Sequence, residues 1–180
     1  DVWMRLLRAV DGSVLWLLRD NSTAARNLRL EAAARGVDGA RLVFADRVSV
    51  EQHMARHKLA DLFLDTLPCN AHTTASDALW AGLPVLTLAG RAFAGRVAAS
   101  VLGAAGLPEL LIARTEQQYE ATALDLARDP SKLAAIKREL AAKRLTAPLF
   151  DVQRFARDIE AAYAAMMERY QAGLAADHIG

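Results

Sequence analysis

The chain has a single cysteine, Cys69, in 180 residues. That excludes an internal disulfide framework and a cysteine-rich zinc site, and it suits a reducing compartment, so the cytoplasm is the expected location. No apolar run approaches the roughly 20 residues needed to span a bilayer, and the first residues lack the basic flank and apolar core of a signal peptide. No membrane association is expected. Neither charge sign dominates, with 22 Lys and Arg against 21 Asp and Glu. A nucleic-acid binder needs a basic footprint, so neither DNA nor RNA is an expected partner. The motifs Gly-x-Gly-x-x-Gly and Gly-x-x-x-x-Gly-Lys-Ser/Thr are both missing, which disfavours nicotinamide redox chemistry and Walker-type phosphoryl transfer. Asp-x-Asp is missing too, so no divalent ion is expected to be held that way.

What is present is a core-forming chain, 53% hydrophobic, of a size suited to one domain spanning residues 1–180. Val2 to Leu7 has the apolar spacing of a helix interior, and the chain reads as cut from something longer. Continuous apolar runs predict buried strands at 14–18, 42–45, 62–65 and 85–88, with a weaker one at 110–112. Helical stretches alternate with them, at 24–35, 50–57, 74–81 and 96–102. This alternation predicts an α/β fold, a Rossmann-like doubly wound parallel sheet over about residues 1–113. Three further helices, 118–128, 131–144 and 152–170, fill the region of about 114–172. Their apolar positions, among them Ile136, Leu140, Phe155, Ile159, Tyr163 and Met166, are expected to pack inward. Ser49 with Gln52, and Thr115 with Gln118, fit capping boxes.

In a doubly wound fold, ligands bind beyond the carboxyl ends of the strands. The segment from Leu64 to Val85 reads strand, loop, helix, glycine stop, strand, which puts His72, Thr73 and Thr74 at such an end and at a helix start. Free backbone N–H groups and the helix dipole favour an anion there. The two threonine hydroxyls can add donors, and Asp77, one turn on, can accept from a ribose hydroxyl. Taken alone, a Thr-Thr pair at a helix start more commonly caps the helix, and Asp77 is an ordinary first-turn acid. Their convergence on one crevice is what favours a nucleotide diphosphate. Asp65 ends its strand either as a site carboxylate or as an acceptor holding the loop. Cys69 lacks a local base and reads as a loop residue.

The run from Ala60 to Ser100, with Ala60-Asp61-Leu62-Phe63-Leu64-Asp65-Thr66, His72-Thr73-Thr74 and Arg96-Val97-Ala98-Ala99, closely resembles the protein O-GlcNAc transferase family, glycosyltransferase family 41. Ser13 to Leu18 and Pro148-Leu149-Phe150 extend the resemblance to nearly the whole chain. It implies the C-terminal, nucleotide-sugar-binding half of a GT-B enzyme, two Rossmann-like halves with the active site between them, usually preceded by tetratricopeptide repeats. By resemblance, Thr73 and Thr74 hold the diphosphate of UDP-GlcNAc, His72 approaches the phosphate and sugar, and Asp77 binds the ribose. Val48, through its backbone, and His53 and Arg56 match positions around the nucleoside. His53 and Arg56 fit a solvated helix face nearly as well, whereas His57 and Lys58 have no match and read as solvent-facing. Arg96 matches a position after the glycine turn and suits a structural arginine equally.

The resemblance has gaps. Family members commonly carry lysine or proline near Val50, and the family's phosphate-binding lysine and glutamine precede the helix with which this chain opens. No catalytic residue is therefore assigned within these residues. The implied reaction is attack by a protein Ser or Thr hydroxyl on the anomeric carbon, with inversion and without a metal or other cofactor. The implied partners are the UDP-sugar, the N-terminal catalytic half, the repeats and the acceptor protein. The alternatives are a non-catalytic binding or scaffolding module, a GT-B enzyme with another sugar or acceptor, and a flavodoxin-like signalling domain.

Overall fold

The computed structural model describes residues 1–179. Helix α1 (Val2–Ala9) leads into strand β1 (Leu15–Leu18), followed by α2 (Ser22–Ala34), β2 (Leu42–Ala45) and α3 (Val50–His57). Strand β3 (Phe63–Leu64), α4 (Thr73–Trp80), β4 (Val85–Leu88), α5 (Val97–Ala104) and β5 (Ile112–Ala113) complete the α/β part. Three helices close the chain, α6 (Glu116–Arg128), α7 (Pro130–Lys143) and α8 (Val152–Gln171). All pairing is parallel, β1 with β2 and β3–β4–β5 in that order. The α/β alternation is the one expected, but the sheet is in two pieces.

Strand β4 shows why the apolar runs become strands. Val85 and Leu86 are both fully buried, yet they belong to different clusters. Val85 packs with Leu79 of α4 and Leu102 of α5, while Leu86 packs with Leu6 of α1 and Tyr119 and Ala123 of α6. Period-2 alternation across a layer covered on both faces makes both sides of the strand apolar, with Thr87 the one polar position, its hydroxyl bonded to Asp65. Helix α4 stops where Gly82 takes φ +89°, a conformation that lets Leu83 N–H reach back to Ala78 O.

Three expectations need correction. The run at 14–18 was expected to be buried, but Trp16 and Leu18 are 38% and 44% exposed, because β1 lies in a two-stranded sheet covered on one face. The run at 110–112 begins as a 3-10 turn, Glu109–Leu111, because Pro108 starts a tight turn that Leu111 N–H closes on Pro108 O. The expected inward packing holds for Ile136 and Leu140 of α7 but fails for α8, where no residue is buried and Phe155, Tyr163 and Met166 are exposed. The caps hold in part: Ser49 Oγ and Thr115 Oγ1 accept from the N–H groups of Gln52 and Gln118. Gln118 Oε1, however, accepts from Arg114 N–H, one residue before the reciprocal position of a capping box.

Because α8 buries nothing, it adds little to the stability of these residues. A chain ending at Asp151 is expected to unfold within about 0.5 kcal/mol of the 180-residue chain in urea. A loss several times larger would show that α8 packs in solution.

Candidate functional site

The site is organised by Asp65, which is 4% exposed at the end of β3. Its Oδ1 accepts from Ala71 N–H at 2.7 Å, and its Oδ2 accepts from the fully buried Thr87 hydroxyl at 2.6 Å. Its backbone N–H donates to Leu86 O, and its carbonyl accepts from the Tyr119 hydroxyl at 2.9 Å. Of the two roles open to it from sequence, Asp65 therefore holds the loop. Burial, with the Asp65 charge nearby, pushes the Tyr119 phenol up from its ordinary value and keeps it a neutral donor.

The loop from Thr66 to His72 is tied at a second point. Asn70 Nδ2 donates to Thr66 O and Leu88 O, and Asn70 N–H donates to Ala94 O. Opposite, Gly90 N–H donates to Gly95 O at 2.6 Å; a Cβ on Gly95 would lie 3.2 Å from both Gly90 Cα and Pro68 O. A side chain at Gly95 would push the two loops apart by a few tenths of an ångström. The tip of the second loop presents Phe93, 75% exposed, edge-on to His72 with 6.3 Å between ring centres.

This scaffold sets the amino end of α4. His72 occupies the N-cap position and makes no side-chain cap. The N–H groups of Ala75 and Ser76 reach back to His72 O, and those of Thr73 and Thr74 come before the first intrahelical bonds. The helix mouth is thus a donor array at the positive end of a dipole, with His72, Thr73 and Thr74 exposed around it. The bland alternative, a threonine N-cap, is not what the structure shows. Beside the mouth is a cavity of about 220 Å³, lined in part by Asp65, Thr66, Cys69, Asn70 and Thr74. Another, of about 260 Å³ at Glu109, Arg114 and Gln118, lies by β5 away from these groups.

Helix α3 packs against α4 and brings the second set of residues. Arg56 donates through Nε and Nη2 to His53 Nδ1, at 3.1 and 2.8 Å, and through Nη1 to Asp46 O. Arg56 thereby pins the loop carrying the exposed Val48. Partial burial, then the neighbouring His57 and Arg56, hold the His53 imidazole below the usual histidine range, while the Asp77 carboxylate acts in the opposite sense. Asp77 of α4 and His53 of α3 are therefore electrostatic neighbours. His57 corrects the solvent-facing expectation: it is buried, with Nδ1 2.7 Å from His53 O and its ring edge-on to His53. Val50, near which the resemblance leads one to expect lysine or proline, is exposed.

The sequence reading missed Tyr119, Thr87, Asn70 and Phe93. Tyr119 lies 54 positions from its partner Asp65, and no local pattern links them. Phe93 carried a cue, a large apolar residue inside a glycine-bounded turn.

Two measurements check this geometry. Replacement Asp65→Ala, which strands a buried hydroxyl and an N–H group, is expected to lower the unfolding free energy by about 2 to 4 kcal/mol in urea. A loss below about 0.5 kcal/mol would deny Asp65 its organising role. For His53, the lowered folded-state pKa means the unfolded chain binds its proton more readily. Its stabilising contribution is therefore full above the unfolded value of about 6.5 and lost as pH falls through the folded value. Arg56→Ala removes both a donor to Nδ1 and a nearby positive charge, so an NMR titration is expected to show the His53 pKa rising. An unchanged midpoint would mean that Arg56 does not set it.

The description Glycosyl transferase family 41 matches residues 1–159. The chain is 40% identical to the UDP-N-acetylglucosamine–peptide N-acetylglucosaminyltransferase of Caenorhabditis elegans over 99% of its length. It is also 40% identical to the probable Arabidopsis thaliana enzyme SEC, again over 99%. It spans only 16% and 18% of those two relatives. Among solved structures, a mutant Thermobaculum terrenum O-GlcNAc transferase superposes with a TM-score of 0.85 at 33% identity, over 92% of this chain and 32% of that one. With a family match across most of its length and a close structural counterpart, the chain belongs to glycosyl transferase family 41.

Proposed function

We propose that these residues form the donor-binding half of an inverting, metal-independent glycosyltransferase that moves GlcNAc from UDP-GlcNAc to Ser or Thr hydroxyls of proteins. The observation that carries the reading is the open α4 mouth, bearing His72, Thr73 and Thr74, set beside the His53–Arg56 pair and Asp77. An anion at the mouth, a ribose hydroxyl at Asp77 and a flat base against imidazole and guanidinium form one continuous ligand, a nucleoside diphosphate. The relatives are named for transfer of N-acetylglucosamine to peptides, which supplies the sugar and the acceptor class.

In the transfer step the acceptor oxygen bonds to the anomeric carbon as the bond to the UDP oxygen breaks, and negative charge grows on the diphosphate. The α4 dipole, its free N–H groups and the Thr73 and Thr74 hydroxyls meet that charge. Each charge-assisted donor contributes on the order of 1.5 to 3 kcal/mol, enough for these residues to bind UDP without turning over. Proton removal from the acceptor belongs to the other half of the longer enzyme, which also carries the tetratricopeptide repeats and works in the cytoplasm. Among the described residues no helix is long and apolar enough to cross a membrane.

Calorimetry of the chain with UDP, UDP-GlcNAc, GDP and NAD, with and without EDTA, tests the reading. UDP and UDP-GlcNAc are expected to bind selectively and regardless of chelator; equal affinity for GDP or NAD overturns the nucleoside assignment. Thr73→Ala with Thr74→Ala is expected to weaken UDP by about 2 kcal/mol, roughly thirty-fold in Kd, with the thermal transition unchanged. Unaltered affinity would sink the diphosphate assignment.

A further inference from the structure

Phe93 holds an apolar ring out to solvent from a turn that is fixed along its length. The ring is 75% exposed. Gly90 N–H donates to Gly95 O, Gly95 N–H to Ala92 O and Arg96 N–H to Phe93 O, while Asn70 N–H reaches across from the neighbouring loop to Ala94 O. The turn therefore stands in a set position against the loop that ends at His72, and the two rings meet edge-on, at 88° and with 6.3 Å between centres. Among the described residues, none of the hydrophobic clusters includes Phe93, so its ring adds nothing to the core. Its aromatic partner, His72, is itself exposed, and most of the ring is left uncovered where the backbone has been made rigid.

We propose that Phe93 is a sugar-contacting, specificity-determining residue of this site, a platform for the apolar face of the hexosamine at the end of the donor. The inference rests on the donor-site reading above and adds the residue that tells a nucleotide sugar from the bare nucleotide. The order of the elements carries it. Helix α4 packs against both α3 and α5. It crosses from β3 to β4, and α5 from β4 to β5, so in the order β3–β4–β5 helix α5 lies on the β5 side of α4 and α3, which leads into β3, on the other. His53 and Arg56 belong to the α3 side, whereas Phe93 starts the 3-10 turn Phe93–Gly95 that packs against α5. A ligand with its base on the α3 side and its diphosphate at the α4 mouth has only its sugar left to reach Phe93.

The chemistry agrees with that placement. An anionic phosphate gains nothing from a ring whose face is negative, and the donors that suit it are at the start of α4. A pyranose differs: each ring C–H is polarised by the oxygen beside it, and several of these hydrogens share one face, which pairs with the negative face of an aromatic ring. Such a contact discriminates by shape and asks for no polar partner, which fits a turn where Phe93 is flanked by Ala92 and Ala94. His72, edge-on to the ring and at the N-cap of α4, joins this platform to the mouth.

Calorimetry of the 180-residue chain with UDP and with UDP-GlcNAc separates the sugar contact from the rest. Phe93→Ala is expected to weaken UDP-GlcNAc about five-fold and to change UDP by less than about two-fold. The thermal transition is expected to stay where it is, because the ring lies outside the core. Phe93→Tyr, which keeps the ring, is expected to retain the affinity for the nucleotide sugar. In the unsubstituted complex, nuclear Overhauser contacts are expected between the Phe93 ring and the hexosamine C–H protons. An equal loss for UDP and UDP-GlcNAc would mean that Phe93 acts on the diphosphate site through His72, and overturns the sugar contact. So does unchanged affinity for both, a Tyr variant as weak as the Ala one, or a chain that binds UDP but not UDP-GlcNAc. A chain that binds no UDP fails the donor-site reading itself, and the inference falls with it.

Discussion

The buried carboxylate of Asp65 is the constraint on which the rest of the site depends. A charge removed from water costs several kcal/mol unless its acceptor capacity is filled, and here each oxygen has a partner on a different element. Thr87 comes from β4, Ala71 from the loop before α4, and Tyr119 reaches the adjacent carbonyl from α6. A change in any of these elements strands a buried polar atom, so the start of α4 inherits the rigidity of the sheet. Electrostatic recognition needs this, since fixed donors stabilise charge without reorganising at the moment it develops.

The two halves of the site are held by different physics. The α4 mouth is organised by backbone geometry and the glycine contact at Gly90–Gly95, with its donors left toward solvent. The α3 side is organised by side chains: Arg56 spends one nitrogen on Asp46 O and two on His53, so its guanidinium plane is fixed before any ligand arrives. Fixing that plane in advance removes part of the ordering cost of binding. The buried His57 ring supports His53 from behind, so a residue with no ligand role sets the orientation of one proposed to have it.

Much of this was legible in the sequence, for physical reasons that differ by element. Leu42–Ala45 and Val85–Leu88 match their expected strands residue for residue, because short, mostly apolar runs bounded by turn residues are a strand signal. Helix α3 was legible from Ser49 and helix α6 from Thr115, since caps are local chemistry. What failed was whatever depends on a partner far along the chain. An apolar stripe such as Phe155, Tyr163 and Met166 says that a face wants cover, and not whether these residues provide it. Trp16 and Leu18 failed in the same way, as did the choice between two roles for Asp65, which Thr87 and Tyr119 decided.

The failures share a direction. Apolar residues expected inside and found exposed lie mostly on β1 and α8, with Val43 and Leu110 besides, whereas none of Leu42, Leu79, Leu86, Leu102 or Leu140 departs from full burial. The α4 mouth belongs to the well-specified part. Its donors are held by Asp65, Asn70 and the paired glycines, all close to it in the fold, so the capacity to meet an anion resides in these residues themselves. Catalysis asks more, because a hydroxyl must be aimed at a carbon that these residues do not enclose. Binding without turnover is therefore the division of labour that the proposed function expects.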